Sequence, residues 1–164
     1  TQFLQSRDRN VVAHATNAAG GETNLTRVAL KMERYVARKL KTKNLSTGFA
    51  SAAEVAKSLE GDCTEHAVLL AAMLRVQKIP SRVVAGLVYT KRNSAFAGHM
   101  WTEAFLGGRW IPLDAVMGLG GIGAGHIKVS DSSLDDKQAF PITMFLPIQS
   151  LLGNMEIEVL KVEY

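Results

Sequence analysis

The hydrophobic pattern of this chain changes once, at Ile79-Pro80, and that change limits the folds open to it. Before this point, apolar residues recur every three or four positions, as they do in amphipathic helices. After it, short runs rich in β-branched residues are separated by glycine turns, which is typical of antiparallel strands. Helices followed by strands predict an α+β domain, in which the helices pack on an antiparallel sheet.

The most apolar helix is predicted to begin at Gly61-Asp62 and to run to Val76. Apolar residues occur on all its sides, so we expect it to be buried in the middle of the domain. The other segments predicted before Ile79 are a helix-compatible stretch over residues 1–21, an amphipathic helix over Leu25–Leu40, a loop over Lys41–Gly48 and a short helix over Ser51–Leu59.

Two later strands are predicted to form a tight hairpin, because Gly98–Leu106 and Arg109–Ala115 flank Gly107-Gly108. Two glycines between alternating runs are a good signal for a two-residue turn. The remaining predicted elements are a strand over Ser81–Thr90, a glycine-rich loop over Val116–Gly125, a short strand over Ile127–Val129, a short helix over Ser130–Lys137 and a last strand over Met155–Val162.

The composition fits one globular domain over residues 1–164, with 47% hydrophobic and 21% charged residues. No apolar run approaches the roughly 18–20 residues that cross a bilayer, so we expect no membrane insertion of this segment. Because the chain starts at Thr1 and shows no signal-peptide pattern, we expect it to be a domain of a longer protein.

The net charge of +4 raises the question of a polyanionic partner. The densest basic cluster lies at the end of a predicted helix and consists of Arg38, Lys39, Lys41 and Lys43. Cations at that end complement the helix dipole and need no ligand. Since no aromatic residues interleave with them for base stacking, we expect no nucleic-acid partner.

The only cysteine, Cys63, lies in the stretch Gly-Asp-Cys-Thr-Glu-His, where the apolar helix begins. Asp62 is a candidate N-cap, and Glu65 follows it at the spacing of a capping box. Cys63 then occupies the first helical turn, where unpaired backbone amides and the helix dipole favour a reactive thiolate. The alternative is that Cys63 is a small buried hydrophobe, as lone cysteines usually are.

A nucleophilic cysteine needs a base, and His99 and Asp114 are the candidates for the base and for the group that orients it. If Gly107-Gly108 is a two-residue turn, His99 and Asp114 become diagonal neighbours on one face of the hairpin, within reach of a hydrogen bond. A loop one residue longer would move Asp114 to the other face, so the prediction depends on the register.

Two other motifs are weaker. The stretch Gly118–Gly123 matches GxGxxG, but that motif binds a dinucleotide only when a helix follows, and here a strand is expected. Cys63 and His66 are spaced as half of a zinc site, yet the sequence offers no second cysteine, and we expect no metal.

The stretch GDCTEHAVLLAAMLRVQKIPSRVVAGLVY, followed by GHMWTEAFLGGRWIPLDA, resembles the core of the transglutaminase-like superfamily, and its bacterial branch most closely. The resemblance implies a papain-like α+β fold and a Cys-His-Asp triad. It implies Cys63 as the nucleophile, His99 as the general base and acid, and Asp114 as the residue that orients His99. No cofactor follows from it, and no calcium-loop spacing is present in the sequence.

Both tryptophans, Trp101 and Trp110, lie downstream of the cysteine. Animal transglutaminases carry an oxyanion-stabilising tryptophan upstream, so here the oxyanion donor that can be named is the backbone amide of Cys63. Around the triad, the candidate cleft-lining or supporting residues are Asp62, His66, Trp101, Glu103 and His126, although the strand position of Glu103 favours a solvent-exposed residue over a cleft-lining one.

The resulting hypothesis is a thiol-dependent enzyme that transfers or hydrolyses amide or peptide bonds of a protein or peptide substrate. The alternative is a catalytically silent binding or scaffold module with the same fold. We expect a domain of a bacterial protein and favour an extracytoplasmic over a cytoplasmic location. The choice between cross-linking and hydrolysis, the substrate and the oligomeric state stay open, because one triad serves both reactions.

Overall fold

Helices form the first half of the chain and strands dominate the second, in a computed structural model that describes residues 1–42, 49–135, 141–151 and 153–158. The helices are α1 (Arg9–Ala19), α2 (Leu25–Lys39), α3 (Ala52–Ser58), α4 (Cys63–Val76) and α5 (Leu146–Leu151), the last preceded by a 3-10 turn over Pro141–Phe145. Among the described residues, no helix combines the length and the apolar character that crossing a membrane requires. The predicted α+β class is confirmed.

The strands are β1 (Lys41–Thr42), β2 (Glu60–Gly61), β3 (Ser81–Thr90), β4 (Ala95–Leu106), β5 (Arg109–Leu113) and β6 (His126–Ser132). The last four form an antiparallel sheet in the order β5-β4-β3-β6, so β5 and β6 are its two edges. The first two form a short parallel pair at the entry to α4.

Helix α4 lies at the centre of the domain, as its uniform apolar surface predicts. Its residues from Ala67 to Leu74 are 0–1% exposed. It packs against α1, α2 and α3 and against strands β3 and β4. Burial on all sides removes most apolar surface from water, so this helix is the main element of the core.

The hairpin of β4 and β5 has the predicted register. Leu106 pairs with Arg109, and the ladder continues to the pair of Thr102 and Leu113. Gly107 and Gly108 both have positive φ, 58° and 80°, as a two-residue type I′ turn requires. This register brings Asp114 to the face of the sheet that carries His99.

Two predicted elements at the end of the chain are not formed over their described residues. The helix over Ser130–Lys137 is not formed in its described part, because β6 continues to Ser132 and pairs with the second edge of β3. The backbone groups of β3 gain partners this way, and that pairing overrides the local turn-forming sequence. No strand forms over residues 155–158 of the predicted Met155–Val162, and residues 159–162 lie outside the described part.

The predicted loop over Lys41–Gly48 also begins differently. Lys41 and Thr42 form β1 and pair with Glu60 and Gly61, while residues 43–48 lie outside the described part. This pairing anchors the chain just before Asp62, where α4 begins.

Candidate active site

Cys63 is the first residue of α4, and two neighbouring acids fix the start of that helix. Asp62 accepts a hydrogen bond from the Thr64 amide at 2.8 Å, and Glu65 accepts one from the Asp62 amide at 3.0 Å. The predicted capping box is therefore formed. Glycine is required at position 61, because a Cβ there would lie 2.3 Å from Cβ of Glu65. The half-buried Cys63 thus sits in the first turn of a well-anchored helix.

His99 and Asp114 meet across the hairpin. Nε2 of His99 lies 2.8 Å from Oδ2 of Asp114, and the side chains are 8% and 0% exposed. The predicted diagonal contact is formed. Because Nε2 of His99 bonds Asp114, Nδ1 is the ring nitrogen that is available to hydrogen-bond Cys63. The structure thus brings together the three residues that the sequence singles out.

The Asp114 carboxylate is buried with hydrogen bonds on both oxygens. Oδ1 accepts from the backbone amides of Val116 at 2.8 Å and Met117 at 3.4 Å. Oδ2 accepts from Nε2 of His99 and from Nε2 of His126, the latter at 3.1 Å. Burial raises the pKa of this carboxyl, but the hydrogen bond and charge of His99, with help from His126 and Val116, lower it to about 2.

His99 is correspondingly held in its protonated form. Burial lowers its pKa, but the hydrogen bonds to Asp114 and Cys63 and the charges of both groups raise it to about 9. At neutral pH the site therefore contains an imidazolium between an ionised carboxylate and a thiol. An imidazolium in that position stabilises a thiolate, which is the reactive form of a cysteine.

Glu33 of α2 holds the backbone at Asp114 in place, and its role was not predicted from the sequence. Its Oε1 accepts the backbone amides of Asp114 and Gly121, both at 2.9 Å, and its side chain is fully buried. Burial raises the pKa of Glu33 against the effect of these two bonds. The available signal was an acid on the apolar face of α2, four residues after the buried Ala29.

Replacing Glu33 with leucine should destabilise the fold, because two buried amides lose their acceptor. We expect a loss of roughly 2–5 kcal/mol in the free energy of unfolding, measured by urea titration. Glu33→Gln is the matched control: it keeps a carbonyl oxygen at the same place and should stay within about 1 kcal/mol of the parent. Equal stability of the leucine variant and the parent would contradict this role.

Trp101 packs against both imidazoles on the sheet face. Its ring stacks on His99 at 6.2 Å and meets His126 edge to face at 5.3 Å. Gly86 makes room for it, because a Cβ there would lie 2.6 Å from the indole and 2.2 Å from the Ile127 carbonyl oxygen. The indole is 1% exposed, so it shields the His99–Asp114 contact from water.

His66 lies one turn after Cys63 and is buried. Its Nδ1 donates to the Asp62 carbonyl oxygen at 2.6 Å, which leaves Nε2 unprotonated in the neutral ring. Burial lowers the pKa of His66, so the neutral form prevails at neutral pH. The charges of Asp114 and His99 also act on this ring, which places His66 beside the site, as a supporting residue would be.

Glu103 is not the exposed strand residue that its place in the sequence favours. It is 7% exposed, and its Oε2 accepts from Nε of Arg82 at 2.6 Å and from Nζ of Lys128 at 2.8 Å. Cations from β3 and β6 compensate its burial. Glu103 shares the sheet face of His99 but belongs to this ion-pair network, which Asp131 extends.

A metal could in principle be held by His99, Asp114 and His126, whose ligand atoms lie within 4.8 Å of one another. A metal needs a lone pair on each imidazole nitrogen. Here both Nε2 atoms lie at hydrogen-bond distance from Oδ2, and the pKa of about 9 keeps His99 protonated at neutral pH. The geometry fits a hydrogen-bonded carboxylate better than a metal centre.

Comparisons with known proteins agree with this architecture. The sequence model described as the transglutaminase-like superfamily matches residues 12–115, which include Cys63, His99 and Asp114. No curated protein matches the sequence significantly.

Three solved structures share the fold. A candidate cysteine protease from Cytophaga hutchinsonii has a TM-score of 0.68 and 23% identity, over 81% of this chain and 44% of that one. The periplasmic domain of TgpA from Pseudomonas aeruginosa, bound to ethylmercury, has a TM-score of 0.52 and 18% identity, over 68% of this chain and 45% of that one. LapG of Legionella pneumophila has a TM-score of 0.52 and 13% identity, over 89% of this chain and 97% of that one. The chain thus spans less than half the length of the first two.

Proposed function

The chain belongs to the transglutaminase-like superfamily, and from this premise we propose that it is a thiol-dependent enzyme acting on amide or peptide bonds through Cys63, His99 and Asp114. The substrate class is a protein or peptide. The observation that carries the proposal is the buried contact of 2.8 Å between His99 and Asp114, with Cys63 on the other side of the imidazole.

In the first half of the reaction, the Cys63 thiolate attacks the carbonyl carbon of the amide. The C–N bond then breaks, and His99 gives its proton to the departing amine. The product is a thioester between Cys63 and the acyl group of the substrate.

In the second half, water or a second amine attacks the thioester. His99, now neutral, accepts a proton from the attacking group, and the C–S bond breaks to return the thiolate. Attack by water completes hydrolysis, whereas attack by an amine completes acyl transfer. Asp114 holds the imidazole in the required orientation and stabilises its charged form in both halves.

The negative oxygen of each tetrahedral intermediate needs hydrogen-bond donors. The backbone amide of Cys63 is one candidate, because the first amides of a helix have no partner within the helix. The positive end of the α4 dipole acts in the same direction.

Alkylation of Cys63 by iodoacetamide should be much faster in the parent than in His99→Ala at pH 7, by roughly ten- to a hundredfold. Since the pKa of His99 is about 9, its positive charge assists the thiolate at neutral pH. That assistance is lost as the pH rises through 9, so the two rates should converge above that value. Mass spectrometry of the adduct measures both rates.

The competing function is a binding or scaffold module that has kept the fold without the chemistry. In such a module, Cys63 would be alkylated at the same rate with and without His99 at each pH. His14→Ala serves as the control, because His14 bonds Tyr35 and the Ala56 carbonyl in the helical layer, away from the triad. If His14→Ala slowed the alkylation of Cys63 as much as His99→Ala does, the slower rate would report a loss of fold stability and not the loss of the charge on His99.

The proposal includes an extracytoplasmic location in a bacterial cell. Its support is the fold shared with a domain that is periplasmic in Pseudomonas aeruginosa.

A further inference from the structure

His126 is the second imidazole on the carboxylate of Asp114. Its Nε2 lies 3.1 Å from Oδ2, the oxygen that His99 binds at 2.8 Å. Its side chain is 3% exposed, and its Nδ1 has no partner among the described residues. Its one side-chain hydrogen bond in the described part of the chain is thus the bond to Asp114.

The contact between His126 and Asp114 joins residues from the two edges of the sheet. His126 begins β6, at one edge of the sheet, whereas Asp114 follows β5, at the other edge. Trp101 contacts the His126 ring edge to face and helps to hold it. His126 lies beyond residues 12–115, the segment that matches the family, whereas Asp114 lies within it. It is therefore a feature of this chain that the family match does not cover.

We propose that His126 is a positioning residue that acts on His99 through Asp114: by donating to the same oxygen, it takes up part of the carboxylate charge and limits how tightly His99 holds its proton. The inference rests on the proposed function, in which His99 must give that proton to a leaving amine. A carboxylate with a single imidazole on Oδ2 would present more negative charge to His99 and retain the proton more strongly.

The groups around His99 set the conditions of the test. Cys63 and His66 face it from α4, Asp114 from the end of β5 and His126 from β6. Glu33 of α2 acts on Asp114 through a backbone amide. Only His126 shares Oδ2 with His99 among the described residues, so its removal changes the charge on that oxygen directly.

The experiment follows the titration of the His99 ring by NMR in the full chain, which needs no substrate. In His126→Phe the midpoint should rise by roughly 0.5–1 pH unit relative to the parent. His126→Gln offers an amide N–H to the same oxygen and should return the midpoint toward the parent value. His14→Phe, the control for loss of a hydrogen-bonded histidine elsewhere, should leave the midpoint unchanged. An unchanged or lowered midpoint in His126→Phe would overturn the inference.

A second measurement on the parent covers the case in which His126→Phe fails to fold. The nitrogen chemical shifts of His126 should show a hydrogen on Nε2, as donation to Asp114 requires. Hydrogen on Nδ1 instead would overturn the inference. These readouts are independent of alkylation: if Cys63 proves unreactive, the enzyme proposal fails while the His99 midpoints still report on His126.

Discussion

Replacing Cys63 with alanine should abolish turnover while the fold is kept. The sequence contains one cysteine, so no other thiol can take over. We expect activity to fall by at least about 10⁴-fold, as it does when a triad loses its nucleophile. Cys63 is half-buried in the first turn of α4, where alanine is accommodated well, so the free energy of unfolding should change by about 1 kcal/mol or less.

The matched controls are Cys63→Ser and Thr64→Ala. Serine keeps the size of the side chain but does not ionise near neutral pH, so that variant should be as inactive as alanine. Thr64→Ala changes the next residue of the same helical turn and should retain activity, since only the Thr64 backbone amide takes part in capping. Turnover by Cys63→Ala in a peptide amidase assay would show that the nucleophile is misassigned.

Replacing Asp114 with asparagine should have the second largest effect, on both activity and stability. Each carboxylate oxygen accepts two hydrogen bonds: backbone amides bind Oδ1, and His99 and His126 bind Oδ2. Either orientation of an asparagine amide turns its NH₂ group toward two donors. We expect a loss of roughly 2–4 kcal/mol in the free energy of unfolding and of about 10²- to 10⁴-fold in turnover.

The pH dependence of that stability loss gives a sharper test. The pKa of Asp114 is lowered from 3.8 to about 2, so its carboxylate stabilises the fold above pH 3.8. This contribution is lost as the pH falls through 2. Urea titrations should therefore show the widest gap between parent and Asp114→Asn between about pH 4 and 6.5. The gap should narrow below pH 4 as the carboxylate is protonated, and above pH 6.5 as the contribution of His99, whose pKa Asp114 helps to raise from 6.5 to about 9, is lost.

Asp131→Asn is the control for that comparison, because Asp131 is a half-exposed carboxylate paired with Arg82 and Lys128. It should cost about 1 kcal/mol or less. Parent-like turnover in Asp114→Asn would remove Asp114 from the triad, whatever its effect on stability.

The parts of the site that could be predicted from sequence are those set by short-range rules. The capping box depends on Asp62 and Glu65, three positions apart, and puts Cys63 in the first turn. The register of the hairpin depends on Gly107 and Gly108, and it puts His99 beside Asp114. In both cases neighbouring residues decide the local geometry, and distant parts of the chain only add to it.

The parts that could not be predicted depend on contacts between distant segments. Glu33 accepts a hydrogen bond from the Asp114 amide, 81 residues away in the sequence, and no local pattern predicts that contact. His126 was singled out as a supporting residue, but its bond to Asp114 requires knowledge of how the two sheet edges come together. The burial of Glu103 likewise depends on cations from two other strands.

The shared oxygen of Asp114 links the two edges of the sheet, since Asp114 follows β5 and one of its donors, His126, begins β6. We expect the site to be complete only when β6 is paired with β3, because His126 reaches Asp114 from that strand. A chain that ended before residue 126 would still contain Cys63, His99 and Asp114, but we expect His99 to have a different pKa in it. His126, which lies beyond the segment that matches the family, thus takes part in the proposed site.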